Sequence, residues 1–141
     1  MFKQITVFIE NKPGRLAEVT GCLADGNINL QALSIADTAD FGILRLIVSD
    51  PETAEKVLKE KGYMVRTTEV VAVALEHSPG SLHKVLRELE ILDISIEYMY
   101  AFTEHLKEYD AIVILRLNDQ NKAIEKLKNS NLPILGIDKI I

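Results

Sequence analysis

Tryptophan is absent from the 141-residue sequence, aromatic residues make up 6% of it, and Cys22 is its single cysteine. A lone cysteine excludes an internal disulfide framework and fits a reducing compartment, so we expect a cytoplasmic protein. The scarcity of aromatic side chains disfavours binding modes that need a large stacking surface. The longest apolar run covers only residues 70–75, far short of the roughly 20 residues of a membrane helix. The first residues alternate like a strand and carry no signal-peptide core.

Basic residues are also in deficit, with 16 Lys and Arg against 21 Asp and Glu and a net charge of −5. An acidic chain has no electrostatic reason to hold nucleic acid or an anionic lipid surface, so neither partner is expected. With 48% hydrophobic and 26% charged residues, the composition is that of a globular protein. A chain of this length forms one ordinary domain or two domains of about 70 residues each.

One segment of the sequence occurs twice. The Pro-Gly pairs that begin at Pro13 and Pro79 are 66 residues apart, and the same offset relates apolar positions along both copies. These positions are Val7 and Val73, Leu16 and Leu82, Val19 and Val85, Leu23 and Leu89, and Ile28 and Ile94. Further along, the offset becomes 69, as between Asp50 and Asp119, which indicates three extra residues in the second copy near 103–108. So many coincidences indicate duplication of a structural unit.

Each copy has the same predicted order of elements. Alternating and helical apolar spacings predict a strand, a helix opened by Pro13 and Gly14, two strands, a helix capped by Asp50, and a final strand. The second copy repeats this order, with Asp119 as the cap. The predicted strands lie at 5–10, 29–35, 42–48, 63–69, 70–76, 95–101, 111–117 and 132–140. The order is βαββαβ, the ferredoxin-like unit, and the predicted domains are 1–69 and 70–141.

A ferredoxin-like unit is an α+β fold in which helices cover one face of an antiparallel sheet. Apolar residues occupy both odd and even positions of these strands and therefore both faces of the sheet. We expect the face without helices, or the sheet edges, to be buried by the other copy or by another chain. No Gly- or Pro-rich linker separates the copies, which predicts that the two units pack as a rigid intramolecular pseudo-dimer.

In these segments the sequence resembles tandem ACT-domain proteins. The resemblance rests on ENKPGRL at 10–16 followed by GNINL at 26–30, in the βαββαβ frame, and it recurs as EHSPGSL at 76–82 with DISI at 93–96. ACT domains are regulatory modules that bind amino acids, usually at an interface between two copies, and often sit on biosynthetic enzymes. The resemblance implies a non-catalytic sensor, with an amino acid as ligand and a biosynthetic enzyme or regulator as protein partner.

The helix that follows each Pro-Gly pair provides the candidate binding site. Its first N–H groups lack carbonyl partners and carry partial positive charge, which suits an α-carboxylate. The resemblance implies that the residue two before the proline and the residue opening the second strand also hold the ligand. The candidate ligand-binding residues are Asn11, Pro13, Gly14, Arg15, Leu16 and Asn29 in the first copy, and His77, Pro79, Gly80, Ser81, Leu82 and Ser95 in the second.

The two copies differ at these positions. If they pair side by side, one site would combine Asn11 with Ser95, and the other would combine His77 with Asn29. The sites would then be chemically unequal, and we expect different affinities or a single occupied site. The same motifs also have plainer interpretations, in which the Pro-Gly pairs only start helices and Arg15 is a solvated side chain.

Two other functions stay open. A ferredoxin-like acyl-phosphate hydrolase needs an arginine loop and a positioned asparagine, which Arg15, Asn11 and Asn29 imitate faintly, but no nucleophile–base set or carboxylate pair is evident. A pure interaction scaffold would use the apolar sheet to bind another chain, and formation of a homodimer is left open. No cofactor is implied, and three histidines without ligand spacing predict no metal site.

Overall fold

The computed structural model describes residues 1–38, 40–102, 111–130 and 134. They divide into two compact units, one of Lys3–Thr68 and one of Met1–Phe2 together with the chain from Glu69 onward. The elements are β1 (Phe2–Glu10), α1 (Arg15–Asp25), β2 (Leu30–Asp37), β3 (Phe41–Val48), α2 (Pro51–Glu60), β4 (Met64–Leu75), α3 (Ser81–Ile91), β5 (Ile96–Ala101), β6 (Ala111–Leu117) and α4 (Gln120–Asn129). This order confirms the predicted α+β class with two ferredoxin-like units.

The boundary between the units falls within β4. Two separate strands at 63–69 and 70–76 are predicted from the sequence, and this division is wrong, because Met64–Leu75 is one continuous strand. The reason is local, since no glycine, proline or asparagine occurs between Tyr63 and Leu75 to interrupt the extended backbone.

The first unit has the strand order β2–β3–β1–β4. β3 pairs antiparallel with both β1 and β2, and Gly42 is the partner of Ile9 on one side and of Asp37 on the other. β1 and β2 therefore run in the same direction, and their last residues, Glu10 and Asp37, lie at the same end of the sheet. β2 also continues two residues beyond the strand predicted at 29–35, so Asp37 belongs to the strand and pairs with Gly42.

Equivalent positions of the repeat form two equivalent cores. The first core contains Ile5, Val7, Ile9, Val19, Leu23, Leu44, Leu46, Val48, Ala54 and Leu58. The second contains Val71, Val73, Val85, Leu89, Val113, Leu115, Leu117, Ala123 and Leu127. Leu23 and Leu89, which the repeat offset relates, are 0% and 1% exposed. The sequence repeat is therefore a repeat of buried positions on strands and helices.

The helices α2 and α4 begin with aspartate caps, as predicted. Asp50 accepts a hydrogen bond from the Thr53 N–H at 3.0 Å, and Asp119 accepts one from the Lys122 N–H at 3.0 Å. Each bond satisfies a backbone donor that has no partner inside the helix.

The helices α1 and α3 begin differently. Each follows a glycine in the left-handed region, Gly14 with φ 86° and Gly80 with φ 88°. Pro13 is predicted to lie in the first helical turn, and this is wrong, because α1 begins only at Arg15. The chain reverses through Gly14 before the helix starts, so the proline belongs to the preceding turn.

The second unit has the strand order β4–β6–β5. Val73 of β4 also forms an isolated antiparallel bridge with Ile134. Apart from Ile134, the predicted last strand at 132–140 contributes only residues outside the described part of the chain, and so does the predicted insertion near 103–108. No helix in the described ranges has the length and apolarity needed to cross a membrane.

β1 is buried on both of its faces. Gln4 and Thr6 alternate with the core residues of this strand and are 0% and 8% exposed. The Gln4 side-chain amide donates to the hydroxyls of Thr6 and Thr68, at 3.1 and 3.3 Å. Buried polar groups keep hydrogen-bond partners, because an unpaired one is costly in free energy. What covers this second face stays a prediction.

Candidate ligand-binding site

The two Pro-Gly turns share one backbone geometry. In the first unit, the Lys12 N–H donates to Glu10 O at 2.9 Å, and the Arg15 N–H donates to Lys12 O at 3.3 Å. The second turn repeats both bonds at the same distances, between residues 66 positions later. The Arg15 N–H, one of those expected to bind a carboxylate, is therefore used within the turn.

The N–H groups left at the start of α1 are those of Leu16 and Ala17. Within the described ranges, no backbone carbonyl accepts a hydrogen bond from either of them. They carry the partial positive charge of a helix N-terminus. An anionic group placed at this end of α1 would be stabilised by both.

A cleft of about 200 Å³ opens between the start of α1 and the ends of β1 and β2. Its apolar wall consists of Ile9, Leu16 and Ile35. Gly42 lines the same cleft, and a Cβ atom at this position would lie 3.3 Å from Ile9 Cγ1 and 3.4 Å from Ile35 Cδ1. The volume is below the range of about 300–1,000 Å³ typical for drug-sized ligands, which indicates a small ligand.

Charged side chains of both signs line the rest of the cleft. Lys12 Nζ forms an ion pair with Glu10 Oε2 at 2.8 Å, and Arg15 Nη2 lies 4.0 Å from the same oxygen. The hydrogen bond from Lys12, its charge and that of Arg15 hold the pKa of Glu10 below its ordinary value. The Glu10 carboxylate therefore stays ionised at neutral pH, between two cations.

Glu18 of α1 holds the Arg15 side chain in place, and Tyr63, the residue before β4, in turn hydrogen-bonds to Glu18. Its Nη1 donates to both oxygens of Glu18, at 3.1 and 2.9 Å, and the Tyr63 hydroxyl donates to the same carboxylate at 3.1 Å. The hydrogen bonds from Arg15 and then Tyr63 lower the pKa of Glu18, and the bond to Glu18 raises the pKa of Arg15. The guanidinium is thus a positioned positive charge beside the cleft.

Asp37 closes the cleft from the end of β2. The Asn11 side-chain amide donates to Asp37 Oδ1 at 3.2 Å. Sequence reasoning does not select Asp37, Ile35 or Gly42 as site residues, because α1 and most or all of β2 separate them from Asn11 along the chain. The signal that could have found them is the fold class itself, since parallel β1 and β2 bring their last residues to one end of the sheet.

Asn29 lies at the opposite end of β2 from this cleft. The strand between Asn29 and the cleft has 8 residues, a span of about 26 Å at ~3.3 Å per residue. The Asn29 N–H donates to Ser49 Oγ at 3.0 Å. Within the first unit, the structure does not bring Asn29 and Asn11 together, although the family resemblance assigns both to the ligand. The predicted combinations of residues from different copies stay predictions.

The second unit lacks the cations of the first turn. Ser78 and Ser81 replace Lys12 and Arg15, and the two serine hydroxyls are 2.8 Å apart in a hydrogen bond. The counterpart of Asp37 by the repeat offset is Thr103, which lies outside the described residues.

The apolar surroundings of the second turn also differ. Leu82 is partly buried against the second core, whereas its counterpart Leu16 is 36% exposed. Ala111 stands at the position of Gly42 and pairs with Leu75, so the second unit has a methyl group where the first unit has none. The remaining candidates of this turn, His77, Pro79 and Gly80, are exposed.

Ser95 lies away from the second turn, as Asn29 does from the first. Its N–H donates to Asn118 Oδ1 at 3.0 Å. Ser95 lines an open depression of about 310 Å³ together with Glu90 and Asp93. Among the residues that the structure describes, no cationic side chain lines this depression to pair with an α-carboxylate. Nowhere in the described ranges do three or more His, Cys, Asp or Glu residues gather as metal ligands do.

Sequence and structure comparisons show which known proteins this chain resembles. The sequence model of the family described as ACT domain pair matches residues 1–139. A protein of Bacteroides thetaiotaomicron with a crystal structure is 46% identical, with a TM-score of 0.91 over 99% of this chain and 94% of that chain. The ligand-free regulatory subunit of aspartate kinase from Thermus thermophilus shares the fold, with a TM-score of 0.64 at 16% identity over 89% of this chain and 87% of that one.

A curated relative matches part of the chain. A probable acetolactate synthase small subunit of Archaeoglobus fulgidus is 30% identical over 69 residues, which are 47% of this chain and 43% of that protein. The chain thus aligns with less than half the length of this relative. The family match, in contrast, extends over nearly the whole sequence. The resemblance predicted from the two Pro-Gly motifs is confirmed: the chain belongs to the family of ACT domain pairs.

Proposed function

We propose that this chain is a non-catalytic regulatory protein that binds an amino acid in the cleft at the start of α1. The observation that carries the proposal is the cleft, where a helix N-terminus, two cations and acidic side chains surround one small space. The α-carboxylate of the ligand would bind the N–H groups of Leu16 and Ala17 and the side chain of Arg15. A zwitterion fits this mixture of charges better than an anion or a cation alone.

The apolar wall sets the class of amino acid. Ile9, Leu16 and Ile35 line the side of the cleft next to the charged groups. The available volume of about 200 Å³ admits a short side chain. We therefore expect amino acids with small aliphatic side chains to bind more tightly than aromatic or basic ones.

Regulation would act through a protein partner. A ligand shifts a conformational equilibrium only by its difference in affinity for the two states, so the partner must bind the occupied and empty forms differently. The name of the curated relative, an acetolactate synthase small subunit, supports a biosynthetic enzyme or a regulator as that partner. The unpaired Cys22 supports a cytoplasmic location.

A ligand screen tests the proposal. Thermal unfolding is measured with each of the twenty amino acids at millimolar concentration, since a ligand that binds only the folded state raises Tm. Titration calorimetry of the best ligand should give one site per chain, or two sites of unequal affinity. Asn11→Ala should weaken binding by about 0.5–1.5 kcal/mol, the net worth of one hydrogen bond, and His77→Ala should weaken it less. Two identical sites per chain, or no ligand at all, would contradict the proposal.

The exposed edge of the first unit favours a second function, self-association. Among the described strands, β2 pairs only with β3, and its Leu33 and Ile35 are 38% and 51% exposed. An open apolar edge strand is a template for another strand. In an antiparallel pair of β2 strands from two chains, Asn29 of one chain would lie beside Asp37 of the other, at the cleft. Leu33→Lys should convert such a dimer to a monomer in sedimentation measurements; an unchanged mass would exclude this edge.

A further inference from the structure

Asp37 differs in its partners from Glu10, which lines the same cleft, and from Glu18, which pairs with Arg15 beside it. Glu10 is paired with Lys12 at 2.8 Å, and Glu18 with Arg15 at 2.9 Å. Asp37 instead accepts a hydrogen bond from the neutral amide of Asn11 at 3.2 Å. In the part of the chain that the structure describes, no Lys, Arg or His forms an ion pair with it. The cleft therefore contains one carboxylate that forms no ion pair with a cation of the described chain.

The strand register places this carboxylate on the floor of the cleft. Gly42 pairs directly with both Ile9 and Asp37, so the three residues form a row across β1, β3 and β2. Side chains of directly paired residues lie on the same face of a sheet. Because Gly42 has no side chain, the side chains of Ile9 and Ile35 lie over it, with Ile9 Cγ1 3.3 Å and Ile35 Cδ1 3.4 Å from where a Cβ atom would be. Asp37, Ile9 and Ile35 all line the cleft, so a ligand there contacts the Asp37 carboxylate on one side and an apolar wall on the other.

Asn11 orients the carboxylate. Its amide occupies one oxygen, Oδ1, and leaves the second oxygen of Asp37 able to accept further hydrogen bonds. Asp37 is exposed, so water solvates its carboxyl group until a ligand replaces the water. The α-ammonium of an amino acid donates three hydrogen bonds, and charge-assisted bonds of this kind are about twice as strong as neutral ones.

We propose that Asp37 selects amino acids over other small carboxylic acids by accepting their α-ammonium group, while Asn11 acts as its positioning residue. This inference rests on the proposed amino-acid binding in the same cleft. It assigns opposite ends of the zwitterion to opposite sides of the cleft, with the ammonium at the end of β2 and the carboxylate at the start of α1. The apolar side chain then lies along Ile9 and Ile35.

The test compares amino acids with their analogues that lack the amine. The pairs are L-alanine and propionate, L-valine and 3-methylbutanoate, and L-threonine and 3-hydroxybutanoate, titrated by calorimetry into the full chain and into Asp37→Asn. The variant preserves the shape and an acceptor oxygen but removes the charge. Asp40→Asn is the matched control, because Asp40 is an exposed aspartate that does not line the cleft.

The expected result is a loss of discrimination. The unmodified chain should bind at least one amino acid about tenfold or more tightly than its amine-free analogue, the effect of a charge-assisted hydrogen bond. Asp37→Asn should lower this ratio to near one by weakening the amino acid alone, and Asp40→Asn should leave the ratio unchanged. Asn11→Ala should lower the ratio partly, since Asp37 remains but loses its orientation.

Two results would overturn the inference, and they differ in what else fails. If amino acids bind and Asp37→Asn weakens each amino acid and its analogue equally, Asp37 has no role in selecting the amine, while the proposed function is unaffected. If none of the six compounds binds the unmodified chain, both the inference and the proposed binding of small aliphatic amino acids are overturned.

Discussion

The two Pro-Gly turns have the same backbone and different chemistry. Gly14 and Gly80 have φ values of 86° and 88°, and the hydrogen bonds of both turns have the same lengths. Around the first turn lie Lys12 and Arg15; around the second lie only serines at those positions. The comparison teaches that the motif preserved by the repeat is one that folds the chain, while the proposed binding of a zwitterion would depend on side chains that the repeat does not preserve.

The largest expected effect concerns the two cores, which should be equivalent. Leu23→Ala and Leu89→Ala each remove a side chain that is 0% or 1% exposed, so each should lower the free energy of unfolding by about 2–5 kcal/mol. Urea unfolding followed by circular dichroism measures both. If one substitution lowered the free energy of unfolding by less than about 1 kcal/mol, equivalent buried positions would not contribute equally to the stability of the two units.

The second prediction concerns the backbone of the turns. Gly14→Ala and Gly80→Ala should each cost about 1–2 kcal/mol of stability, because an L-residue is strained in the left-handed region. A Cβ atom at either position meets nothing within 4 Å, so the cost is conformational rather than steric. Replacement of Gly21, which lies inside α1, by alanine is the control and should stabilise the chain. Equal stability of all three variants would argue against the left-handed turns.

The third prediction exchanges the charged residues of the first Pro-Gly turn with the serines of the second and compares ligand binding. The double variant Lys12→Ser, Arg15→Ser gives the first turn the composition of the second and should weaken amino-acid binding about tenfold or more, as loss of a charge-assisted bond predicts. The reverse double variant, Ser78→Lys, Ser81→Arg, should create no new site, because Leu82 packs against the second core, whereas its counterpart Leu16 is exposed at the first cleft. Calorimetry measures both, and a second site appearing in the reverse variant would show that charge alone decides binding.

Gly42→Ala tests the apolar wall of the first cleft. The added Cβ atom would lie 3.3 Å from Ile9 Cγ1 and 3.4 Å from Ile35 Cδ1, so the methyl group would displace these two side chains of the cleft wall. We expect a several-fold loss of affinity, worth about 1 kcal/mol, and a lower Tm of the ligand-free chain, because Ile9 belongs to the first core. Equal affinity before and after the substitution would place the ligand elsewhere.

The smallest expected effect is a pH dependence that belongs to the first turn. The pKa of Glu18 is lowered from an ordinary value of 4.5, mainly by Arg15 and Tyr63. A carboxylate with a lowered pKa stabilises the fold above its unfolded pKa, and this contribution is lost as pH falls through the folded value. Stability should therefore decline below about pH 4.5, and Glu18→Gln should make the decline shallower. Lys84, the counterpart of Glu18 in the second unit, has no such role, so Lys84→Gln should leave the slope unchanged.

Much of the fold follows from local rules. The aspartate caps at Asp50 and Asp119, the two helices after Pro-Gly pairs and the repeated core positions are all readable from spacing, because each depends on a few neighbouring residues. The division of β4 into two strands was wrong for the complementary reason: nothing local marks the boundary between Thr68 and Glu69. Only packing of each part of the strand into a different unit distinguishes them.

The sequence by itself determined that one structural unit occurs twice, that a helix follows each Pro-Gly pair, and that the first turn carries polar and charged groups suited to an amino acid. Only the tertiary structure decided which distant residues share the cleft. It brought Asp37, Ile35 and Gly42 to Asn11 and moved Asn29 to the far end of β2. The physical reason is strand pairing, since register across β3 sets which residues are neighbours and no local preference of the chain encodes that register.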